Sequence, residues 1–332
     1  MNKRILISRI DSIGDVILTL PMCGLIKSVY PQAIIAFLGT DYTQPIIQRC
    51  RFVDEFYNWH GFREHPDSLN RIKADVIIHA FPQKLLGIAA KKAGIKLRIG
   101  TTHRLHHWFT CNRLVNLGRK NSNLNEAQLN LRLLRPLGIK KMLTLVEIPS
   151  YYGWQASKHI PKKVEKFLAK DKFNLILHLK SQGNAMEWPP DKFLDLAHRL
   201  APDYYSILIS GTESDKVQIE NELPAIFKLP HVVNIAGELS LDEFIDLVQF
   251  ADGLVSSSTG PLHIAAASGI HTLGLYPDIR PKHAIRWGPV GIRAEWISEQ
   301  GSDSRDIYLN QIEPKEVYMR ILSWDKIHSD RI

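Results

Sequence analysis

Apolar residues in this chain come in short blocks of strand length, separated by amphipathic stretches. In the first half KRILISRI (3–10), AIIAFLG (33–39) and ADVIIHAF (74–81) are such blocks, and a loop and a helix-like stretch through Val29 follow the first. In the second half NLILHL, YSILISG, HVVNIAG, DGLVSS and HTLGLY recur between stretches such as PPDKFLDLAHRL and SLDEFIDLVQFA. Strands alternating with helices predict a parallel sheet with crossover helices. The segment EIPSYYGWQASKHIPKK (147–163) carries Pro, Gly, Ser and Lys without a period and reads as a linker. The pattern predicts an α/β protein of two Rossmann-like domains, 1–150 and 151–332, facing a central cleft with a ligand at the carboxyl ends of the strands.

Composition narrows this reading without changing it. A length of 332 residues suits two domains, and 45% hydrophobic with 23% charged residues excludes a disordered or fibrous chain. The first apolar run stops at Arg9 and Asp11, short of a signal-peptide core, and no later run reaches the ~18 residues of a spanning helix, so a cytoplasmic protein is expected. Cys23, Cys50 and Cys111 are too few and too far apart for a disulfide framework or a thiolate metal site and are expected as buried free thiols. The net charge of +8 points to an anionic partner, whether nucleic acid, a phosphorylated sugar or a membrane surface.

Three loops carry candidate chemistry. The first, Arg9-Ile10-Asp11-Ser12-Ile13-Gly14-Asp15-Val16, follows the opening strand and starts a helix. Gly14 is expected to give a tight turn and Asp15 to fall in the first helical turn, as either a general base or a capping acid favoured by the helix dipole. Pro21 is expected to kink or end the regular part of this helix. The second loop, His178 to Pro189, places Lys180, Ser181, Gly183 and Asn184 before a helix, the donors a diphosphate needs. An ordinary strand-to-helix connection looks much the same, and Trp188 reads as a packing residue. In the third, Ser256-Ser257-Ser258-Thr259-Gly260-Pro261-Leu262-His263, a strand runs into small hydroxyl residues, a glycine and a proline set for the first helical position. The amides of Ser258, Thr259 and Gly260 with the helix dipole make an anion site, and His263 reads equally as a phosphate or sugar contact or as a structural histidine.

In this order and spacing the loops resemble glycosyltransferase family nine, the bacterial lipopolysaccharide heptosyltransferases, over nearly the whole chain. Ser12, Gly14, Asp15, Thr19 and Pro21 match the family pattern S-x-x-G-D-x-x-x-T-x-P, and Thr259, Gly260, His263, Ala265 and Ala266 match T-G-x-x-H-x-A-A. Trp188-Pro189 matches the W-P of the central loop, and Asn234-Ile235-Ala236-Gly237 with Leu239-Ser240-Leu241 resembles N-L-x-G-x-x-S-L.

The resemblance implies a GT-B fold and an inverting, metal-independent transfer from a nucleotide-diphosphate sugar, usually ADP-heptose, with no cofactor. Donor contacts are implied for the carboxyl-terminal half, through Lys180, Ser181, Asn184, Ser258, Thr259, Gly260, Pro261 and His263, with Asp242 at the ribose. Acceptor contacts are implied for the amino-terminal half, through Ser12, Gly14, Arg63 and Arg104. Asp15 is then the general base for the acceptor hydroxyl, while backbone amides and Lys180 neutralise the leaving diphosphate. Two positions depart from the pattern: Met186 stands where the family often has a lysine, which Lys180 would replace, and Ser258 stands where many members have an acid.

The implied acceptor is the Kdo- and phosphate-bearing inner core of lipid A at the cytoplasmic face of the inner membrane. Arg63, Arg98, His103, Arg104, His106, His107 and Arg113, several in one loop with Trp108 and Phe109, suit this anionic glycolipid and peripheral membrane contact. A solvated basic loop is the commoner explanation of any one of them. Same-fold transfer of another sugar to O-antigen, capsule or protein is the first alternative. A non-catalytic nucleotide-sugar binding protein would have no use for Asp15, and a nucleic-acid binder would need a recognition motif that the chain lacks.

Overall fold

The computed structural model describes residues 3–183, 185–303 and 305–325. The chain divides into two compact units, Met1–Gln155 and Ala156–Ile332. In the first, β1 (Arg4–Ser8), β2 (Ile34–Gly39), β3 (Glu55–Asn58), β4 (Val76–His79), β5 (Leu97–Thr101) and β6 (Arg113–Val115) form a parallel sheet ordered β3-β2-β1-β4-β5-β6. In the second, β7 (Phe173–His178), β8 (Tyr205–Ser210), β9 (Val232–Asn234), β10 (Gly253–Ser257), β11 (His271–Tyr276) and β12 (Ala294–Ser298) are ordered β12-β11-β10-β7-β8-β9. Each unit repeats the doubly wound order in which strands run outward from the first strand in both directions, so its crevice lies at the carboxyl end of β1 or of β7.

Register explains why the central strands are visible as apolar blocks. Leu6 pairs with Ala36 on one side and Ile77 on the other, and every residue of β4, β7, β8 and β11 is buried. Parallel strands covered on both faces need apolar side chains on both. The edge strands β3 and β12 are mostly half-buried and β6 has three residues, so none of them shows as an apolar block.

The helices that matter below are α1 (Ile13–Ile17), α2 (Pro21–Val29), α3 (Lys84–Lys92), α4 (Leu105–Thr110), α5 (Glu126–Leu131), α6 (Pro190–Arg199), α7 (Leu241–Phe250) and α8 (Gly260–Ser268). α1 stops before Pro21, which opens α2 in its first turn, as its fixed φ and missing N–H dictate. α6 buries Phe193, Leu196 and Ala197 on one stripe against the second core, which also contains Trp188 and Met186. The Trp188 indole donates to the Ile312 carbonyl (2.9 Å) and meets Phe193 edge-on at 4.8 Å, the packing role its sequence context suggests. All three cysteines are free and buried.

The stretch read as a linker is partly core. Ile148 and Tyr152 are buried, Trp154 makes an antiparallel bridge with Cys50, and Gln155 N donates to the Arg49 carbonyl (2.7 Å). Gly24 of α2 lies so close to this segment that an added Cβ would stand 2.2 Å from the Tyr151 carbonyl oxygen. Residues 148–155 are therefore a strap of the first unit, joined by single bridges and short turns that leave no period in the sequence.

Burial also places histidines where charge is costly. Desolvation pushes His79 down to about 3, and His107, His178 and His263 down to about 4. Folding keeps these rings neutral, so their contribution is whole above the unfolded value of ~6.5 and is lost as pH falls from there toward the folded values. Each ring should lose on the order of 1 kcal/mol of stability per pH unit over that window. Urea midpoints measured at pH 7.5 and pH 5 test this, and equal midpoints would contradict it.

Candidate functional site

β1 delivers Arg9 to its carboxyl end, where the chain turns into α1. Ser12 is the N-cap residue, but its hydroxyl donates to Asp15 Oδ2 (2.5 Å) instead of capping a helix amide. Arg9 Nη2 donates to the other oxygen of Asp15, and no backbone amide among the described residues donates to this carboxylate. Asp15 is thus in the first turn, as expected, and is held by side chains. Gly14 is buried inside α1 and is not among the glycines with positive φ, so it makes no tight turn, which corrects that expectation.

Behind Asp15 lies a closed polar ring. Arg9 is 3% exposed and also donates to Asp11 Oδ1 (2.7 Å) and to the Ala80 carbonyl (3.3 Å). Its Nη1 stands 3.6 Å from Glu126 Oε1, the first residue of α5, which is 1% exposed and also 3.0 Å from Arg119 Nε. Arg119 Nη2 donates to Asn130 Oδ1 (3.2 Å), Asn130 Nδ2 to Thr19 Oγ1 (3.2 Å), and Thr19 Oγ1 back to the Asp15 carbonyl (2.8 Å). Two guanidiniums therefore serve three carboxylates, and burial raises the Asp11 carboxyl against the pull of Arg9. Of this ring, sequence reasoning singled out Asp15 and Thr19. The only signal for Arg9 was a charge at the end of an apolar strand, and Glu126 had none.

Arg119 also reaches a second feature of this unit. With Thr101, His103, Arg104, Gly118 and Asn121 it lines a cavity of about 460 Å³ beyond the carboxyl end of β5. Gly118 N donates to the His103 ring (3.2 Å). Arg104 is exposed at the start of α4 and contributes to this basic wall, whereas Arg63 is exposed on the separate helix Trp59–Glu64, which follows the edge strand β3.

In the second unit β10 runs into Ser256–Thr259, whose terminal hydroxyls meet at 2.8 Å, and α8 begins with Gly260 and Pro261. Thr259 caps α8 by its backbone alone, which leaves the amides of the first turn without an intrahelical partner. The Ser257 hydroxyl and His263 Nδ1 are buried without a partner among the described residues. Ser258 is half-buried, and the buried Tyr276 hydroxyl donates to the Trp287 carbonyl (2.6 Å). Beside this loop, at the ends of β7 and β8, His178 Nδ1 and Ser210 Oγ meet at 3.0 Å.

The loop after β7 is organised by carboxylates. Lys180 is 4% exposed, with its ammonium 2.5 Å from Glu222 and 3.7 Å from Glu187. Neutralising a diphosphate through Lys180 requires exchanging these partners for phosphate oxygens. Ser181 N and Oγ both donate to Glu187 (2.6 and 3.0 Å), closing a turn in which Gln182 and Gly183 have positive φ. Asn184 lies outside the described residues. Asp242 is exposed in the first turn of α7, whose N-cap Ser240 and Glu243 form a capping box.

The sequence profile of glycosyltransferase family 9 (heptosyltransferase) matches residues 130–315, more than half of the chain. The chain belongs to this family. As a family 9 glycosyltransferase it is 23% identical to lipopolysaccharide heptosyltransferase 3 of Escherichia coli over 335 aligned positions, covering 92% of this chain and 94% of the relative. Its GT-B fold is that of the solved family 9 glycosyl transferase from Veillonella parvula, with a TM-score of 0.80, 16% identity and 97% of each chain covered. The ADP-heptose heptosyltransferase II of E. coli superposes with a TM-score of 0.76 at 19% identity, covering 97% of this chain and 98% of that one.

Proposed function

We propose that this glycosyltransferase moves a heptose from ADP-heptose to an anionic glycolipid of the lipopolysaccharide inner core, at the cytoplasmic face of the inner membrane. The observation that carries the reading is Asp15, clamped by Arg9 and Ser12 at the carboxyl end of β1. Asp15 takes the proton of the acceptor hydroxyl as that oxygen bonds to the anomeric carbon. The bond from carbon to the diphosphate oxygen breaks on the opposite face, which inverts the centre and releases ADP. The β10–α8 loop supplies the amides of Ser258, Thr259 and Gly260 for the departing charge, so the transfer needs neither metal nor cofactor. The acceptor anion enters the cavity lined by Arg104 and Arg119. The first domain is then the acceptor side and the second the donor side.

A second reading, another nucleotide sugar on the same machinery, is favoured by Met186 in the core and by a serine, Ser258, directly before Thr259-Gly260 where many family members have an acid. Calorimetric titration with ADP, UDP, GDP, CMP and their sugars, without added metal, separates the two. Preference for ADP and ADP-heptose supports the first reading, preference for UDP or GDP the second, and no binding removes the donor-site assignment.

A further inference from the structure

We propose that Glu126 is a positioning residue for the transfer. It fixes the separation between Asp15 and the cationic wall of the cavity, so that an acceptor anchored there by its anion presents its hydroxyl to the base. This role rests on the proposed transfer, with Asp15 as base and the cavity as the acceptor's anion site.

Arg9 and Arg119 lie side by side although they carry like charges. The Ala80 carbonyl accepts from Arg9 Nη1 (3.3 Å) and from Arg119 Nη2 (3.4 Å), and Glu126 Oε1 stands 3.6 Å from Arg9 Nη1 and 3.0 Å from Arg119 Nε. Two guanidiniums this close repel, and the carboxylate between them offsets the repulsion. Arg9 already has Asp11 and Asp15 as partners, so a third carboxylate is not needed to neutralise it. What Glu126 adds is Arg119, held beside Arg9. Each guanidinium then spends its remaining donors in a different direction. Arg9 holds Asp15, while Arg119 bonds Asn130 and lines the cavity. One buried carboxylate therefore joins the clamp on the base to the wall that meets the acceptor.

Glu126 can hold a fixed distance because it is itself fixed. It is almost wholly buried and is the first residue of α5. Asn125 Oδ1 accepts from Ala127 N (3.0 Å) and Gln128 Oε1 accepts from Asn125 N (3.1 Å), so a capping box sets the start of that helix. Asn130 Nδ2 donates to the Leu18 carbonyl (3.1 Å), which ties α5 to the end of α1, the helix that carries Asp15. Proton transfer needs the base within hydrogen-bond reach of the hydroxyl, a geometry kept only by side chains that are locked in turn.

Glu126→Asp is the test, because it keeps the charge and draws the carboxylate back by one methylene, so that it no longer spans both guanidiniums. Turnover is measured well below the melting temperature with a Kdo-bearing lipid A acceptor and the nucleotide sugar that calorimetry selects. kcat is expected to fall about 10²-fold, the effect of a misplacement of ~1 Å, with nucleotide affinity unchanged and acceptor KM altered far less than kcat. Glu126→Gln keeps the length but removes the charge that holds the guanidiniums together, and should show the same split, so the outcome does not hang on the folding of one variant. In the Asp15→Asn background Glu126→Asp should cost no further turnover, since positioning has no value without the base. A merely structural role predicts lower melting with kcat unchanged below it. Turnover that needs Asp15 but is spared in both Glu126 variants, or equal losses with and without Asp15, would overturn the positioning role alone. Normal turnover of Asp15→Asn, or none by the wild-type chain with any nucleotide sugar, would refute the transferase reading and this role with it.

Discussion

Asp15→Asn is expected to lower turnover by roughly 10²- to 10⁴-fold, the usual worth of a positioned general base, with nucleotide affinity essentially unchanged. Asparagine keeps the shape of the side chain and can still accept the Ser12 hydroxyl, but it can take no proton from the acceptor. The fold should survive, because Arg9 retains Asp11 and Glu126 as partners. Steady-state turnover and calorimetric nucleotide binding, measured on the same preparation, separate chemistry from binding. Near-normal turnover would remove Asp15 from the mechanism.

Glu126→Ala is expected to have the largest effect on stability. Its carboxylate is shared by Arg9 and Arg119, and both Arg9 and Glu126 are almost wholly buried, so removing it leaves guanidinium charge uncompensated in the core. Breaking a buried pair from one side costs ~3–5 kcal/mol. The lower end applies here, because Asp11 and Asp15 still accept from Arg9 and Arg119 is partly exposed. A loss of about 3 kcal/mol lowers the melting temperature of a unit this size by roughly 10 °C. Glu126→Gln, which keeps volume and one acceptor oxygen, should fall between the two. Melting of the alanine variant within a degree or two of wild type would mean that the ring does not hold the first unit together.

The sequence by itself determined the fold class, the central strands and the order of the chemical loops. β1, β4, β7, β8 and β11 are buried on both faces, so each had to be an apolar block whatever its neighbours. Asp15 in the first turn of α1 and Pro261 in that of α8 were legible because helix starts obey local rules of capping and φ. Edge strands β3 and β12 were not legible, since pairing on one side only tolerates half-exposed residues. The strap 148–155 was hidden because single bridges impose no period. Only the tertiary structure decided what surrounds the candidate site. Arg9 meets Asp15 locally, but Glu126, Arg119 and Asn130 arrive from the far side of the first sheet's sequence, and Glu222 reaches Lys180 from a helix after the next strand. Charge pairing and burial are properties of distance in space, and no spacing along the chain encodes which carboxylate a buried cation will find.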